Sequence, residues 1–335
     1  MSQALYDVIG VGNAIVDVIA SCDDAFLASQ SIEKGAMTLI DEARAEQLYG
    51  AMAPGQEISG GSAANTLAGI ASFGAKGAYI GKVAKDELGE IFRHDLNAAG
   101  VDYKTAPLAE GPLTARCLIN VTPDAQRSMS TFLGASVFFS EEDIDAEKIA
   151  ASRITYLEGY LFDRDEAKAA FVRASEIARA ANRLTSLTLS DSFCVDRHRA
   201  AFRQLVRNHI DILFANEAEL LSLYETDNFD EALTAVTAET RIAAITRSEK
   251  GAVLIRDGQT TAIAAEPVSK VVDTTGAGDL FAAGMLTGLA KGLDLEVCGR
   301  LGAIAAAEII SHIGARPNVS LKGLAGKAGI SLGGA

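Results

Sequence analysis

The sequence predicts an α/β fold: a doubly wound, mostly parallel sheet with helices on both faces, carrying a second, smaller β sheet. Three observations predict it. Short apolar runs alternate with helical stretches of ten or more residues along most of the 335-residue chain, which is the rhythm of βαβ units. Hydrophobic residues make up 49% of the chain but aromatics only 6%, with no Trp, so the interior is built from Ala, Leu, Ile and Val, as layered α/β packing requires. Two segments, 14–40 and 113–133, break the rhythm with strand-rich patterning that lacks βαβ spacing.

Taken in order, residues 6–11 read as an opening buried strand that runs out at Gly10-Val11-Gly12. Helices follow over 41–52, over 63–73 (entered from Gly60-Gly61-Ser62) and over 87–99, where Gly100 stops the last; a short strand at 78–80 separates the second from the third. The alternation continues with strands at 154–157, 185–189 and 211–215, helices at 165–181 and 197–208, and a helix starting at Glu217. Strands at 242–246 and 252–255 come next, and Val268-Ser269-Lys270-Val271-Val272 reads as a strand end. Within the irregular segments, 113–121 and 127–132 flank a turn at Thr122-Pro123-Asp124-Ala125, which makes a hairpin. The organisation expected is a core of 1–13, 41–112 and 134–335 with a β lid of 14–40 and 113–133, and a loose Gly- and Ala-rich tail from Gly323.

Bulk properties narrow the function. A net charge of −14 repels nucleic acid and anionic membranes, so a small-molecule partner is expected. The cysteines Cys22, Cys117, Cys194 and Cys298 are scattered without a CxxC pair, as in reduced thiols. The first residues carry no basic and apolar leader and no apolar run is long enough to span a bilayer, so a cytoplasmic protein is expected. His94, His198, His209 and His312 show no metal-binding spacing.

The chemistry concentrates in Asp273-Thr274-Thr275-Gly276-Ala277-Gly278-Asp279, which opens a long small-residue helix. A glycine turn that starts a helix points free N–H groups and the positive end of the helix dipole at one spot, which suits a phosphate. Asp279 is either a first-turn acid that the dipole favours or, since a carboxylate is an odd companion for a phosphate, a base held beside one in its ionised form. Gly60-Gly61-Ser62-Ala63-Ala64-Asn65 is a second glycine turn into a helix. It serves either as a Ser62-capped start or as a cradle for a polyhydroxylated ligand. Asn216-Glu217-Ala218-Glu219 reads as an N-cap with acids in the first turn, or as Glu219 ordering Mg²⁺ and its waters. The loop 246–251 is a β turn or a contact for nucleotide phosphate or ribose. Gly10-Val11-Gly12-Asn13 lacks the third glycine of a dinucleotide fingerprint and Asp17 follows too soon for it, and the chain contains no GxxxxGK[ST] phosphate loop.

Together and in this order, these motifs resemble the ribokinase-like (PfkB) family of carbohydrate and nucleoside kinases, over nearly the whole chain. Asp273–Asp279 fits the family's DTxGAGD pattern. The resemblance implies a doubly wound core with a β lid, ATP and Mg²⁺ as cofactors, and γ-phosphoryl transfer to a primary hydroxyl. Asp279 would be the general base, and the N–H groups of Gly276, Ala277 and Gly278 the anion hole. Asn216 and Glu219 would order phosphate and Mg²⁺, and Thr246, Gly251 and Thr275 would border the nucleotide. Ser248 stands where the family's Thr-x-Gly-x-x-Gly loop has its middle glycine. A monovalent cation such as K⁺ would draw its oxygens from Asp273 and Thr275. Asn13-Ala14-Ile15-Val16-Asp17 and Thr131-Phe132-Leu133-Gly134-Ala135 resemble the adenosine-kinase branch. On that likeness Asn13, Asp17, Gly60, Gly61, Ser62 and Asn65 would bind the acceptor's hydroxyls, while Met37, Leu39, Leu133, Ala135 and Tyr160 would border a base. Adenosine is then the expected acceptor. A sugar such as ribose, fructose or a keto-deoxy sugar acid is the alternative, the acid calling on Arg116 or Arg127. The protein is expected as a monomer or a homodimer paired through its lid.

Overall fold

A computed structural model describes residues 4–124 and 126–333. Its fourteen described strands are, in chain order, β1 Tyr6–Val11, β2 Ile15–Ser21, β3 Met37–Leu39, β4 Gln56–Gly60, β5 Gly77–Ile80, β6 Val101–Tyr103, β7 Ala115–Val121, β8 Arg127–Phe132, β9 Ser152–Glu158, β10 Leu184–Thr188, β11 Ile212–Asn216, β12 Ile242–Thr246, β13 Ala252–Arg256 and β14 Gln259–Ile263. They form a nine-stranded sheet in the order β14-β13-β12-β11-β10-β9-β1-β5-β6 and a five-stranded sheet in the order β3-β8-β7-β2-β4.

The large sheet is parallel from β6 through β12, and β13 and β14 add an antiparallel edge. Successive strands are added outward from β1 in two directions, first to β5 and β6, then to β9 through β12. The β1/β9 gap is therefore the topological switch point, where open α/β sheets take their ligands at the carboxyl ends of the strands. Both faces are covered. One core layer packs Leu67, Tyr79, Phe92, Leu280, Met285 and Leu301 against the sheet, and the other packs Phe162, Phe171, Phe202, Leu213 and Ile245. The helices Ala277–Ala290 and Leu295–Ile309 touch backbone to backbone: a Cβ on Gly284 would lie 2.4 Å from the Leu301 carbonyl oxygen, and one on Gly302 2.8 Å from that of Phe281. This close approach fixes the two helices against each other on one face of the sheet.

Several elements depart from the sequence-based expectation. Residues 268–272 form no strand. The sheet ends at β14, so this stretch has no neighbour to pair with and crosses instead to the helix layer, where the Val272 N–H donates to Ile310 O at 2.8 Å. β14 was not anticipated, because its Gln-Thr-Thr-Ala-Ile sequence is polar and mostly exposed. The helix expected over 197–208 begins at Ser192, capped by the Asp191 side chain on the Cys194 N–H at 2.6 Å. The expected loose tail from Gly323 starts instead inside the helix Leu321–Lys327, whose Leu321 and Ala325 are buried, while Gly334 and Ala335 lie outside the described residues. β7 and β8 pair antiparallel as the hairpin reading requires, and Ala125 of its turn is likewise outside the described residues. The small sheet takes in β4 as well, from a segment the sequence reading leaves in the core.

Candidate active site

The switch point is built by Gly12 and Asn13, which follow β1, and by Glu158, which ends β9. Asn13 Nδ2 donates to Glu158 Oε1 at 3.1 Å, and the Ala63 N–H donates to Glu158 Oε2 at 2.8 Å. Glu158 thus ties the strand ends to the first turn of the helix Ser62–Ser72. It is 1% exposed, and burial raises its carboxyl to about 7 against the pull of the Ala63 N–H, with Asp279 adding to the rise. A Cβ at Gly12 would sit 2.3 Å from Glu158 Oε2, so only glycine fits beside this carboxylate.

The chain passes from the small sheet to the core through Gly60, the last residue of β4, and Gly61, the N-cap of the helix Ser62–Ser72. Gly61 has φ 89°, a left-handed conformation that glycine adopts freely. A Cβ there would lie 2.3 Å from the Asn13 carbonyl oxygen, and one on Gly60 would lie 2.5 Å from the Asp17 carboxylate. The two glycines therefore bring Asn13, Asp17 and the helix start together. Burial raises the Asp17 carboxyl to about 6, opposed by Arg127 and Arg316 and reinforced by Asp279.

Asp279 completes the group. Its Oδ1 accepts from Ser62 Oγ at 2.6 Å and its Oδ2 from Asn65 Nδ2 at 3.1 Å, while Thr66 Oγ1 donates to its backbone oxygen at 3.1 Å. Ser62 is thus no helix cap through its side chain; its hydroxyl is spent on Asp279. The helix dipole favours the ionised form of Asp279, but withdrawal from water raises its carboxyl, and the Ser62 and Asn65 bonds and the Arg316 charge work against that rise. Beside it, Gly276 caps the helix Ala277–Ala290 with φ 79° and no side-chain bond. The Gly276 and Gly278 N–H groups donate to no described residue, and the space above Gly278 is open to at least 4 Å. Ala277 differs from expectation: its N–H closes a turn onto Thr274 O at 3.2 Å. Gly276 and Gly278 are therefore the two residues of this turn whose N–H groups stay open to an anion.

Asp273 also departs from its expected role. Its Oδ1 accepts from the Thr275 N–H at 3.0 Å and its Oδ2 from the Gly314 N–H at 3.1 Å, and Arg127 pairs with it closely while donating to Thr275 Oγ1 at 3.1 Å. Burial raises the Asp273 carboxyl, but these bonds more than offset it and the net shift is downward. A guanidinium already neutralises the carboxylate that K⁺ would need. Arg127 belongs to β8, so the same pair fastens the small sheet to the 273–279 loop. Arg116 packs on the opposite side of β7, its guanidinium 5.6 Å from the Tyr49 ring centre.

Asn216 and Glu219 form a capping box at the end of β11. Glu219 Oε2 accepts from the Asn216 N–H at 2.9 Å, Glu219 Oε1 from Asn216 Nδ2 at 2.6 Å, and Asn216 Oδ1 from the Glu219 N–H at 2.8 Å. Burial raises Glu219 to about 7, against the Asn216 N–H, with Asp191 and Asp279 adding to the rise. Tyr160 lies among these acids: burial, then Asp191, Asp279 and Glu219, push its hydroxyl well up. The 246–251 loop is a tight turn, in which Ser248 holds φ 52° where glycine is usual and Gly251 φ 81°. Arg247 braces it, pairing with both Glu217 oxygens at 3.0 Å and stacking 3.8 Å from the Phe229 ring centre.

The remaining expected residues are more dispersed. Met37 and Leu39 lie on edge strand β3 and are half exposed. Leu133 is half-buried, whereas Ala135 is fully buried with its N–H on Leu113 O at 2.8 Å, so it offers a ligand no surface. Glu158, Arg247 and Arg316 were missed. Glu158 had a signal, an acid at the end of a buried parallel strand; Arg316, alone in Gly314-Ala315-Arg316-Pro317, had none.

A helix start with open N–H groups, and beside it at the switch point a carboxylate bonded by Ser62 and Asn65, are the groups a phosphotransferase with an alcohol acceptor needs. The comparisons agree. The family model described as "pfkB family carbohydrate kinase" matches residues 38–321, and the chain belongs to that family. It is 28% identical to adenosine kinase from Saccharomyces cerevisiae over 327 residues, covering 91% of this chain and 94% of the relative. The structure of adenosine kinase from Sinorhizobium meliloti superposes with a TM-score of 0.90 at 52% identity, over 97% of this chain and 100% of that one. A probable sugar kinase from Rhizobium etli CFN 42 superposes with a TM-score of 0.91 at 51% identity, over 98% and 99%. The protein is therefore a kinase of small molecules, and its family implies ATP as phosphoryl donor. No described helix is long and apolar enough to cross a membrane.

Proposed function

We propose that the protein transfers the γ-phosphoryl group of ATP to the 5′-hydroxyl of a nucleoside, adenosine foremost, forming AMP and ADP. The observation that carries this reading is Asp279, bonded by Ser62 and Asn65 of the acceptor cradle and adjacent to the open N–H groups of Gly276 and Gly278. Asp279 takes the hydroxyl proton as the oxygen bonds to the γ-phosphorus and the bond from that phosphorus to the β,γ-bridging oxygen breaks. The two N–H groups and the helix dipole stabilise the charge that develops on the transferring group.

Asn13 and Asn65 each keep a buried side-chain oxygen without a partner. Such oxygens are costly unless bonded, and a ribose diol supplies the missing donors, with Asp17 as a further acceptor. Exposed Met37 and Leu39 on β3, and the partly exposed ring of Tyr160, whose hydroxyl faces the acids, are the apolar surfaces offered to a base. A sugar acid finds less support, because Arg127 is paired with Asp273 and Arg116 packs against Tyr49. The 14–40 and 113–133 segments act as the lid, fastened by Arg127 and excluding water that would compete as acceptor.

Mg²⁺ fits the donor set. No group of three or more metal-ligating side chains occurs among the described residues, and Mg²⁺ at such sites rests on phosphates, waters and one or two carboxylates. Glu219 would hold it through water, since each of its oxygens accepts one bond and keeps lone pairs. The ion would neutralise phosphate charge. Glu219→Gln, which preserves a cap acceptor, is expected to raise the Mg²⁺ concentration for half-maximal rate by about tenfold, the order of one lost charge interaction. An unchanged Mg²⁺ dependence would leave Glu219 a cap and nothing more.

A screen of nucleosides and sugars with ATP tests the acceptor. Adenosine is expected to give the highest kcat/KM. Faster turnover of ribose or fructose than of every nucleoside would overturn the reading in favour of a sugar kinase, the direction in which the Rhizobium etli relative's name points.

A further inference from the structure

Residues 313–316, which follow the helix Leu295–Ile309, touch both halves of the site. On the phosphate side, the Gly314 N–H donates to Asp273 Oδ2, and Ala315 closes on Gly276, where an added Cβ would lie 3.1 Å from the Ala315 side chain. On the acceptor side, the Arg316 guanidinium donates four hydrogen bonds. Nε and Nη2 reach Ser59 O at 3.2 and 2.6 Å, Nη2 reaches Ser59 Oγ at 3.0 Å, and Nη1 reaches Ala64 O at 2.7 Å. Ser59 lies in β4 and Ala64 in the first turn of the helix Ser62–Ser72, so one planar fork spans the Gly60–Gly61 junction from both sides. The Ser59 N–H is held in turn by Asp95 Oδ2 at 3.1 Å.

A buried cation is costly, and backbone carbonyls alone could have been satisfied by a neutral donor. The charge has a use at longer range: Arg316 acts electrostatically on both Asp17 and Asp279 and favours their ionised forms. Burial lowers the guanidinium to about 10, which leaves it protonated at neutral pH. Asp279 is also faced by Asp17 from β2, Tyr156 and Glu158 from β9, Tyr160 beyond it and Glu219 from the helix Glu217–Tyr224, all acidic or neutral groups. Arg316 is the cation among them.

We propose that Arg316 is a positioning residue for phosphoryl transfer: it locks the Gly60–Gly61 junction to the phosphate loop, fixing where Ser62 and Asn65 hold Asp279, and supplies the positive charge that keeps that carboxylate ready to accept a proton. The inference rests on the phosphotransfer reading above but not on which alcohol is the acceptor.

The test uses the full chain, ATP and whichever acceptor the wild type turns over best. Arg316→Met is expected to lower kcat about 10²-fold, the scale of a misplaced catalytic group, with KM for ATP within about threefold. Losing the cation raises the Asp279 pKa, so the acid limb of the kcat profile should move to higher pH. Arg316→Lys keeps the charge but not the fork, so it should leave that limb in place while kcat falls by roughly tenfold. Amide exchange at residues 60–65 should quicken in both variants, a readout independent of turnover. An unmoved acid limb in Arg316→Met, or a kcat loss that only tracks the loss of folded protein, would overturn the proposal. If Arg316→Met does not fold, Arg316→Lys decides, because wild-type kcat and exchange in that variant refute it. Failure of the kinase reading looks different: the wild type itself would phosphorylate no alcohol.

Discussion

Asp279→Asn is expected to lower kcat by at least ~10³, while the nucleoside still binds, because the change removes both the proton acceptor and its charge. The site should tolerate the amide. Asparagine keeps an oxygen for Ser62 Oγ, and its new NH₂ meets Asn65, whose own Oδ1 has no partner and can turn to accept it. The turned Asn65 amide then presents its NH₂, instead of Oδ1, to the acceptor's hydroxyl oxygen, so a hydrogen bond to the acceptor remains and the loss falls on the chemical step. Steady-state kinetics and calorimetric titration of the acceptor check it together. Near-normal turnover would remove Asp279 from its role, and loss of binding along with turnover would make it an anchor for the acceptor. The wild-type pH profile provides a companion measurement. Because withdrawal from water raises the Asp279 carboxyl, activity should fall on acidification at a pH above the ordinary carboxylate range.

Gly61→Ala is the second large effect. The residue sits at φ 89°, and the added Cβ would stand 2.3 Å from the Asn13 carbonyl oxygen, a backbone atom that cannot swing aside. The left-handed conformation alone costs about 1–3 kcal/mol for a non-glycine residue. Relief of the clash must displace either Asn13 or the start of the helix Ser62–Ser72, and both bind the acceptor in the proposed reaction. A shift of about 1 Å in such a group costs roughly 10² in rate, so kcat/KM for the acceptor should drop by at least that much, with a lowered melting temperature. Gly50→Ala is the control: it lies in the helix Glu42–Ala51 with nothing within 4 Å of its added Cβ, so it should be neutral or slightly stabilising by helix propensity. Equal behaviour of the two variants would sink the argument from the Gly61 geometry.

Much of the architecture was legible in the chain because its signals are local. The alternation of apolar runs and helices reports a doubly wound sheet. Gly60-Gly61 and Gly276-Ala277-Gly278 announce turns whose backbone only glycine or another small residue permits, and Asp279 stands out as an acid at a phosphate-like helix start. β14 and the absence of a strand at 268–272 were not legible, because sheet edges depend on whether a neighbour is present rather than on propensity.

What the sequence by itself determined is the fold class, the two glycine turns and, through the likeness of its ordered motifs to a kinase family, the kind of reaction, since turns, helix starts and motifs are properties of a few consecutive residues. What only the tertiary structure decided is how residues far apart in the chain divide the work. Asp279 is held by Ser62 and Asn65, more than two hundred positions away. Glu158 and Arg316 enter the site, Arg127 pairs with Asp273, whose carboxylate was a candidate partner for a monovalent cation, and Ala277 spends its N–H on a turn. The physical reason is that hydrogen bonds and charges act through space: a buried carboxylate or guanidinium takes whatever partner the packed helices and sheets bring within reach, and sequence separation carries no record of that distance.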